Sequence, residues 1–229
     1  MTLAGAVRDC DIALKLVARS KAQDAATVEA RLRSRRAEAE KTLAVSLRRW
    51  TSEGAASKWR QALQAESPEH ESQPATVEAV ARRMLPRLAE VFFREGRRAA
   101  ARGASAEQLH KFRLASKRFR YTLELFAEFY GPAAAHWVEQ LRATQTFLGG
   151  ISDCAVTRRL VQDLGASAAM VAALKDRQKR KAREFRKAWW EGLGSAGVSR
   201  RWVQSLHRPA RKPPARAAGQ ARLVIRQHA

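Results

Sequence analysis

One segment of the chain concentrates side chains that can hold phosphate: Leu109-His110-Lys111-Phe112-Arg113-Leu114-Ala115-Ser116-Lys117-Arg118-Phe119-Arg120-Tyr121-Thr122-Leu123-Glu124. On a helix, at ~100° per residue, His110, Arg113, Lys117, Arg120, Tyr121 and Glu124 fall within an arc about 100° wide. Phe112, Ala115, Phe119, Leu123 and Phe126 gather on the opposite side. The segment therefore pairs an apolar seam with a narrow basic stripe. Arginine offers forked donors of fixed geometry to phosphate oxygens, and lysine offers a point charge. His110 adds a donor when protonated, a form that a nearby anion favours. Successive stripe positions lie ~5–6 Å apart, a spacing that the phosphates of a polyanion can bridge. Glu124 follows Arg120 by one turn and Lys117 by two, and is placed to orient those cations. The solvated face of an ordinary amphipathic helix has the same look, so spacing alone leaves both readings open.

Other chemistry is sparse. His70, His110, His136, His207 and His228 show no metal-ligand spacing with cysteine or carboxylate, so neither a metal site nor a cofactor is expected. Cys10 and Cys154 each follow an aspartate and read as small buried packing residues. Asp9 and Asp153 read as helix caps or as partners of an arginine across the bundle. A paired-carboxylate enzyme needs two acids in one pocket, and nothing in the sequence brings these two together. There is no phosphate-binding GxxxxGK[ST] loop and no nucleophile elbow, so no catalytic residue is assigned. The six tryptophans (50, 59, 137, 189, 190 and 202) read as core or inter-bundle residues, with base stacking as a minor alternative.

The elements that must position the stripe are helices. Periodicity predicts them at about 7–20, 24–50, 55–66, 75–100, 105–130, 133–148, 151–165, 167–192 and 197–206. Gly103 followed by Ser105-Ala106-Glu107 is a stop and a new start. Gly131-Pro132 closes the next helix. Gly149-Gly150 with Ser152 predicts a short turn. Pro86 predicts a kink or break within 75–100. The resulting organisation is a first helical half at 1–66, a polar linker at 67–74, a second half at 75–206 and a basic, proline-containing disordered tail at 207–229.

Composition agrees with this and narrows the partners. The chain has 229 residues, 45% of them apolar, enough for a real core. Alanine is abundant and valine and isoleucine are few, which is helix composition. Lys+Arg number 44 against 22 Asp+Glu, a net charge of +22, so a polyanion is the expected partner: nucleic acid, inorganic polyphosphate or an anionic surface. No apolar run approaches the ~18 residues of a membrane-spanning helix, and the N-terminus has no secretory pattern. Two cysteines suggest a reducing compartment, hence a cytoplasmic location.

The sequence also repeats itself. Val7-Arg8-Asp9-Cys10-Asp11 matches Ile151-Ser152-Asp153-Cys154-Ala155 at an offset of 144. Leu32-Arg33-Ser34-Arg35 matches Leu174-Lys175-Asp176-Arg177 at 142, and Lys58-Trp59 matches Arg201-Trp202 at 143. These offsets imply two related helical halves. Residues 105–130 have no counterpart, so the first half is expected to be truncated at its N-terminus, either in the protein itself or because the sequence starts late. Its uncovered apolar seams are then expected to favour a homodimer.

The pattern His110-x-x-Arg113-x-x-x-Lys117-Arg118-x-Arg120-Tyr121-x-x-Glu124, followed by Leu141-x-x-x-Gln145-x-x-Leu148-Gly149-x-x-x-Asp153, resembles the second half of a CHAD domain, the conserved histidine α-helical domain. Gly5-Ala6-Val7-Arg8-Asp9-Cys10-Asp11 resembles the corresponding turn of that family's first half, and the likeness extends over roughly 3–206. The resemblance implies an all-α fold of two pseudo-symmetric antiparallel helical bundles around a basic groove. It implies a non-catalytic module that binds inorganic polyphosphate and can sit on polyphosphate granules. The binding positions it carries over are His110, Arg113, Lys117, Arg118 and Arg120, with Tyr121 and Glu124 in support. Further cations are expected from the helices bearing Arg35, Arg36, Arg177, Arg180 and Lys181. The family has one His-bearing helix per half and this chain shows one in all. The alternative function is a generic nucleic-acid-binding or nucleoid-associated protein, for which no known reading element is present.

Overall fold

The computed structural model describes residues 3–20, 22–65 and 76–208, and these form an all-α protein. The helices are α1 (Leu3–Val17), α2 (Ala25–Ser52), α3 (Ala55–Ala65), α4 (Val77–Ala99), α5 (Ala106–Leu125), α6 (Pro132–Asp163), α7 (Ala168–Glu191) and α8 (Val198–Leu206). The expected linker at 67–74 and all but the first two residues of the expected tail at 207–229 lie outside the described residues.

The start of α5 is set as its sequence predicts. The Ser105 hydroxyl accepts from the Gln108 amide at 3.2 Å, and the Gln108 side chain accepts from the Ser105 amide at 2.7 Å. This reciprocal cap satisfies two of the otherwise orphaned N–H groups and fixes where the stripe begins. The helix is shorter than predicted, giving way after Leu125 to a single 3₁₀ turn at Ala127–Phe129.

Two sequence expectations are corrected. Gly149-Gly150 makes no turn: α6 runs unbroken from Pro132 to Asp163. Of the kink or break expected at Pro86, the break is absent: α4 is continuous from Val77 to Ala99. The reason for the first is packing. Two internal glycines cost about 1 kcal/mol each relative to alanine, but α6 is the spine shared by two cores and is held along its whole length.

The first core joins α4, α5, the first half of α6, the end of α7 and α8. Its centre is aromatic: the Phe92 ring lies 5.2 Å from Phe93, 5.2 Å from Phe112, 5.6 Å from Phe119 and 5.7 Å from Trp189. The second core joins α1, the start of α2, the end of α6 and the start of α7 through Ala13, Val17, Val28, Leu32, Val161 and Met170. Apolar seams of opposed helices make both cores, and this fixes α5 and α1 against α6.

The internal repeat is visible in three dimensions. The N-cap residues Asp24 and Ser167 are 143 apart and touch: the Asp24 carboxylate accepts from the Ser167 amide at 2.6 Å and from its hydroxyl at 3.0 Å. These bonds hold the Asp24 carboxyl below the usual range. Gly54 and Gly197, in equivalent positions, both adopt positive φ (63° and 79°) before α3 and α8. The two ends of the repeat differ in cover. Trp202 is 6% exposed within the first core, whereas its equivalent Trp59 is 66% exposed on α3. Trp50 and Trp190 are also exposed, so the expectation that all six tryptophans are buried holds for Trp137, Trp189 and Trp202 alone.

Candidate anion-binding face

The stripe on α5 lies where the helical wheel puts it. Phe112, Phe119, Leu123 and Phe126 are buried in the first core, and Arg113, Lys117, Arg120 and Glu124 are half-buried at its edge. His110 and Tyr121 are exposed. Beneath the stripe, Gln145 on α6 donates to the Ser116 carbonyl at 3.0 Å, pinning α6 alongside. The face is therefore a groove between α5 and α6 rather than a single helix surface.

Glu124 organises one end of it. A single carboxylate oxygen accepts from Arg120 Nη1 and from Arg142 Nη2, each at 3.0 Å. The expected orienting role thus extends to a cation of α6. The Arg120 guanidinium also sits 4.4 Å from the centroid of the Tyr121 ring, a cation–π contact that restricts it further. Two arginines fixed on one acid present their remaining N–H groups at constant spacing, which lowers the ordering cost of binding an anion. Lys117 makes no hydrogen bond or ion pair among the described residues. At the other end, His110, Arg113 and Arg159 line a cleft of about 400 Å³.

Between α5, α6 and α1 sits Asp153. It lies within α6, and Asp9 lies within α1, so neither caps a helix. For Asp153 the other expected role, an arginine partner across the bundle, agrees with the charges of Arg8 from α1 and Arg113 from α5 acting on it. Burial pushes the Asp153 carboxyl up, the charges of Arg8 and Arg113 pull it down, and Asp9 pushes it up again. The sequence did not bring these two acids together, but the repeat axis does. Their setting, between two arginines, is one of charge balance in a basic groove.

The remaining predicted cations divide. Arg36 is engaged, donating to Asp11 at 2.6 Å and Glu40 at 2.8 Å. Arg177 and Lys181 line a cleft of about 260 Å³ with Lys15 and Arg19, although Lys181 also bonds Glu184 at 2.8 Å. Arg35, Arg118 and Arg180 are exposed, and Arg118 stands off the stripe. Cys10 and Cys154 are buried free thiols, both raised by burial first, as packing residues should be.

Sequence reasoning missed Arg142, Arg8 and Arg159, which only the crossing of α1, α5 and α6 brings to the stripe. It also missed Lys175, Lys179, Arg183 and Arg186, although their i, i+4, i+8, i+11 spacing was a readable signal. A further cleft, about 480 Å³, lies elsewhere: Phe147, Phe185, Trp189 and Trp202 are among its lining residues, and Arg201 is its one Lys or Arg side chain. Among the described residues no three His, Cys, Asp or Glu side chains group as a metal site. No described helix is long and apolar enough to cross a membrane.

A protein-family model described as CHAD domain matches residues 1–162. The match takes in α1 to α6 nearly complete, hence the whole α5–α6 groove, and stops short of α7. No curated protein and no solved structure matches the chain.

Proposed function

Because the chain belongs to the CHAD domain family, we propose that it is a non-catalytic module that binds inorganic polyphosphate in the groove between α5 and α6. One observation carries the reading: Arg113, Lys117 and Arg120 share a face of α5, and Glu124 adds Arg142 to them from α6. Arg120 and Arg142 supply oriented forks to phosphate oxygens, Lys117 supplies an unpaired charge, and His110 with Arg159 extends the donor set at the far end. On this reading the protein can reside on polyphosphate granules. Most of the affinity is electrostatic and comes from counterion release, so it falls steeply with salt.

The test is a competition titration with a labelled chain of about 100 phosphates at about 150 mM salt, against duplex DNA and RNA at equal phosphate concentration. Polyphosphate is expected to win, and Lys117→Gln with Arg120→Gln together should weaken its binding at least about tenfold. Replacing Arg211 and Arg216 should cost under about twofold. Indifference among the polymers, or equal losses from the two double variants, would mean generic attraction to anions and would favour the nucleic-acid alternative.

A further inference from the structure

A second set of cations converges on the other side of α5's first turn. Lys175, Lys179, Arg183 and Arg186 share one face of α7 and line a single cleft of about 440 Å³ together with Arg158 from α6. No carboxylate lines this cleft. Among the described residues, Arg158, Lys175, Arg183 and Arg186 make no hydrogen bond or ion pair, and Lys179 has only a loose contact to Asp176 at 3.6 Å. Arg33, Arg49 and Lys111 differ from them, each holding an acid one turn away at 2.6–2.8 Å. Like charges at i, i+4 spacing destabilise a helix. Five cations in one acid-free cleft, four of them unpaired, therefore stand at a cost that a bound polyanion offsets.

The position of this cleft is as informative as its charge. It shares Ala106, Leu109, Ile151 and Gln178 with the cleft that holds His110, Arg113 and Arg159. A basic path thus runs from the α5 stripe around the start of α5 and on along α7. Lys175 to Arg186 spans about 16 Å at 1.5 Å per residue, much like the stripe itself.

We propose that the α7 face is a second polyphosphate-binding segment, continuous with the α5–α6 groove, so that long chains engage both segments and short chains engage one. The proposal rests on the polyphosphate reading and adds to it a preference for length. It also places binding residues beyond the matched range of the family.

The experiment measures binding of chains of about 15 and about 100 phosphates to four full-length proteins as a function of salt. The first is the unaltered chain, and the second carries Lys175→Gln, Lys179→Gln, Arg183→Gln and Arg186→Gln. The third carries Lys117→Gln and Arg120→Gln. The fourth removes four exposed cations elsewhere, at Arg48, Arg49, Lys58 and Arg60. Circular dichroism first checks that each keeps its helix content. The α7 variant should lose about tenfold or more for the long chain, reduce the salt slope by about 3, and change short-chain binding by under about twofold. The control should change neither by more than about twofold. Unchanged long-chain binding in the α7 variant, with loss in the α5 variant, would overturn the second segment and leave the groove standing. An equal loss in the control would overturn it as well, by reducing it to net charge. Failure of the unaltered chain to bind polyphosphate would overturn the groove and the second segment together.

Discussion

Asp153 is an acid set among the charges of Arg8 and Arg113, and its energetics have a definite sign. Burial, the largest influence, raises its carboxyl, Arg8 and Arg113 lower it, Asp9 raises it, and the net direction is up. The fold therefore holds that proton more tightly than the unfolded chain does. The stability this supplies is present below the ordinary carboxylate range and is lost as pH rises through the raised native value. Asp153→Asn should accordingly match the parent in acid and exceed it at pH 7. The gain should be under about 1 kcal/mol, since solvent screens a partly exposed group. Denaturant titrations from pH 4 to pH 8 check this. A loss at pH 7 would instead make the carboxylate a needed partner of Arg113. At this scale the sequence was legible where one helix decides the matter, as for Arg113, Lys117 and Arg120. It was silent where a second helix does. Arg142 reaches Glu124 from 18 positions away, and Arg36, expected among the further binding cations, is held by Asp11 and Glu40.

Among the elements, α6 is where turn chemistry and packing disagree. Gly149-Gly150 is a strong local signal for a turn, but Leu148 and Ile151 on either side are buried in the first core and the helix passes through. A Cβ at Gly149 would meet nothing within 4 Å, and one at Gly150 would meet only the Lys181 side chain at 3.6 Å. Each Gly→Ala replacement should therefore stabilise the protein by about 0.5–1 kcal/mol, through lower entropy of the unfolded chain. Gly96 on α4 is the contrasting case. A Cβ there would collide with the six-membered ring of Trp189, which is itself locked against Phe92, Phe112 and Phe185. Gly96→Ala should destabilise by about 1–3 kcal/mol, the usual penalty of overpacking. Thermal melts of the three variants decide both claims. Opposite signs are expected, and a destabilised Gly149→Ala would show that the glycine is needed for something other than helix continuity. The capping of α5 was readable because the Ser105 cap is local in sequence. The continuity of α6 was not, because it is imposed by helices far along the chain.

At the scale of the molecule the repeat explains both what is packed and what is not. α2 and α3 begin at positions that map onto α7 and α8 at the same offset of 143. The all-α class and the repeat offset were legible in the sequence, because equivalent residues repeat. Which copy of the repeat is covered was not. Trp202 packs against Phe93, Phe119 and Trp137, while Trp59 stands in solvent with Val45, Leu47 and Trp50 exposed on the neighbouring α2. Equivalent substitutions should therefore have unequal effects. Trp202→Ala removes a buried aromatic and should cost about 3–5 kcal/mol. Trp59→Ala removes an exposed one and should stay within about 0.5 kcal/mol. Denaturation at two protein concentrations a hundredfold apart makes the comparison informative in either direction. A small and concentration-independent effect at Trp59 means that α3 ends in solvent. A large effect that grows with concentration means that a second copy of the chain covers this face, since a contact between copies adds stability by mass action where one within the chain does not.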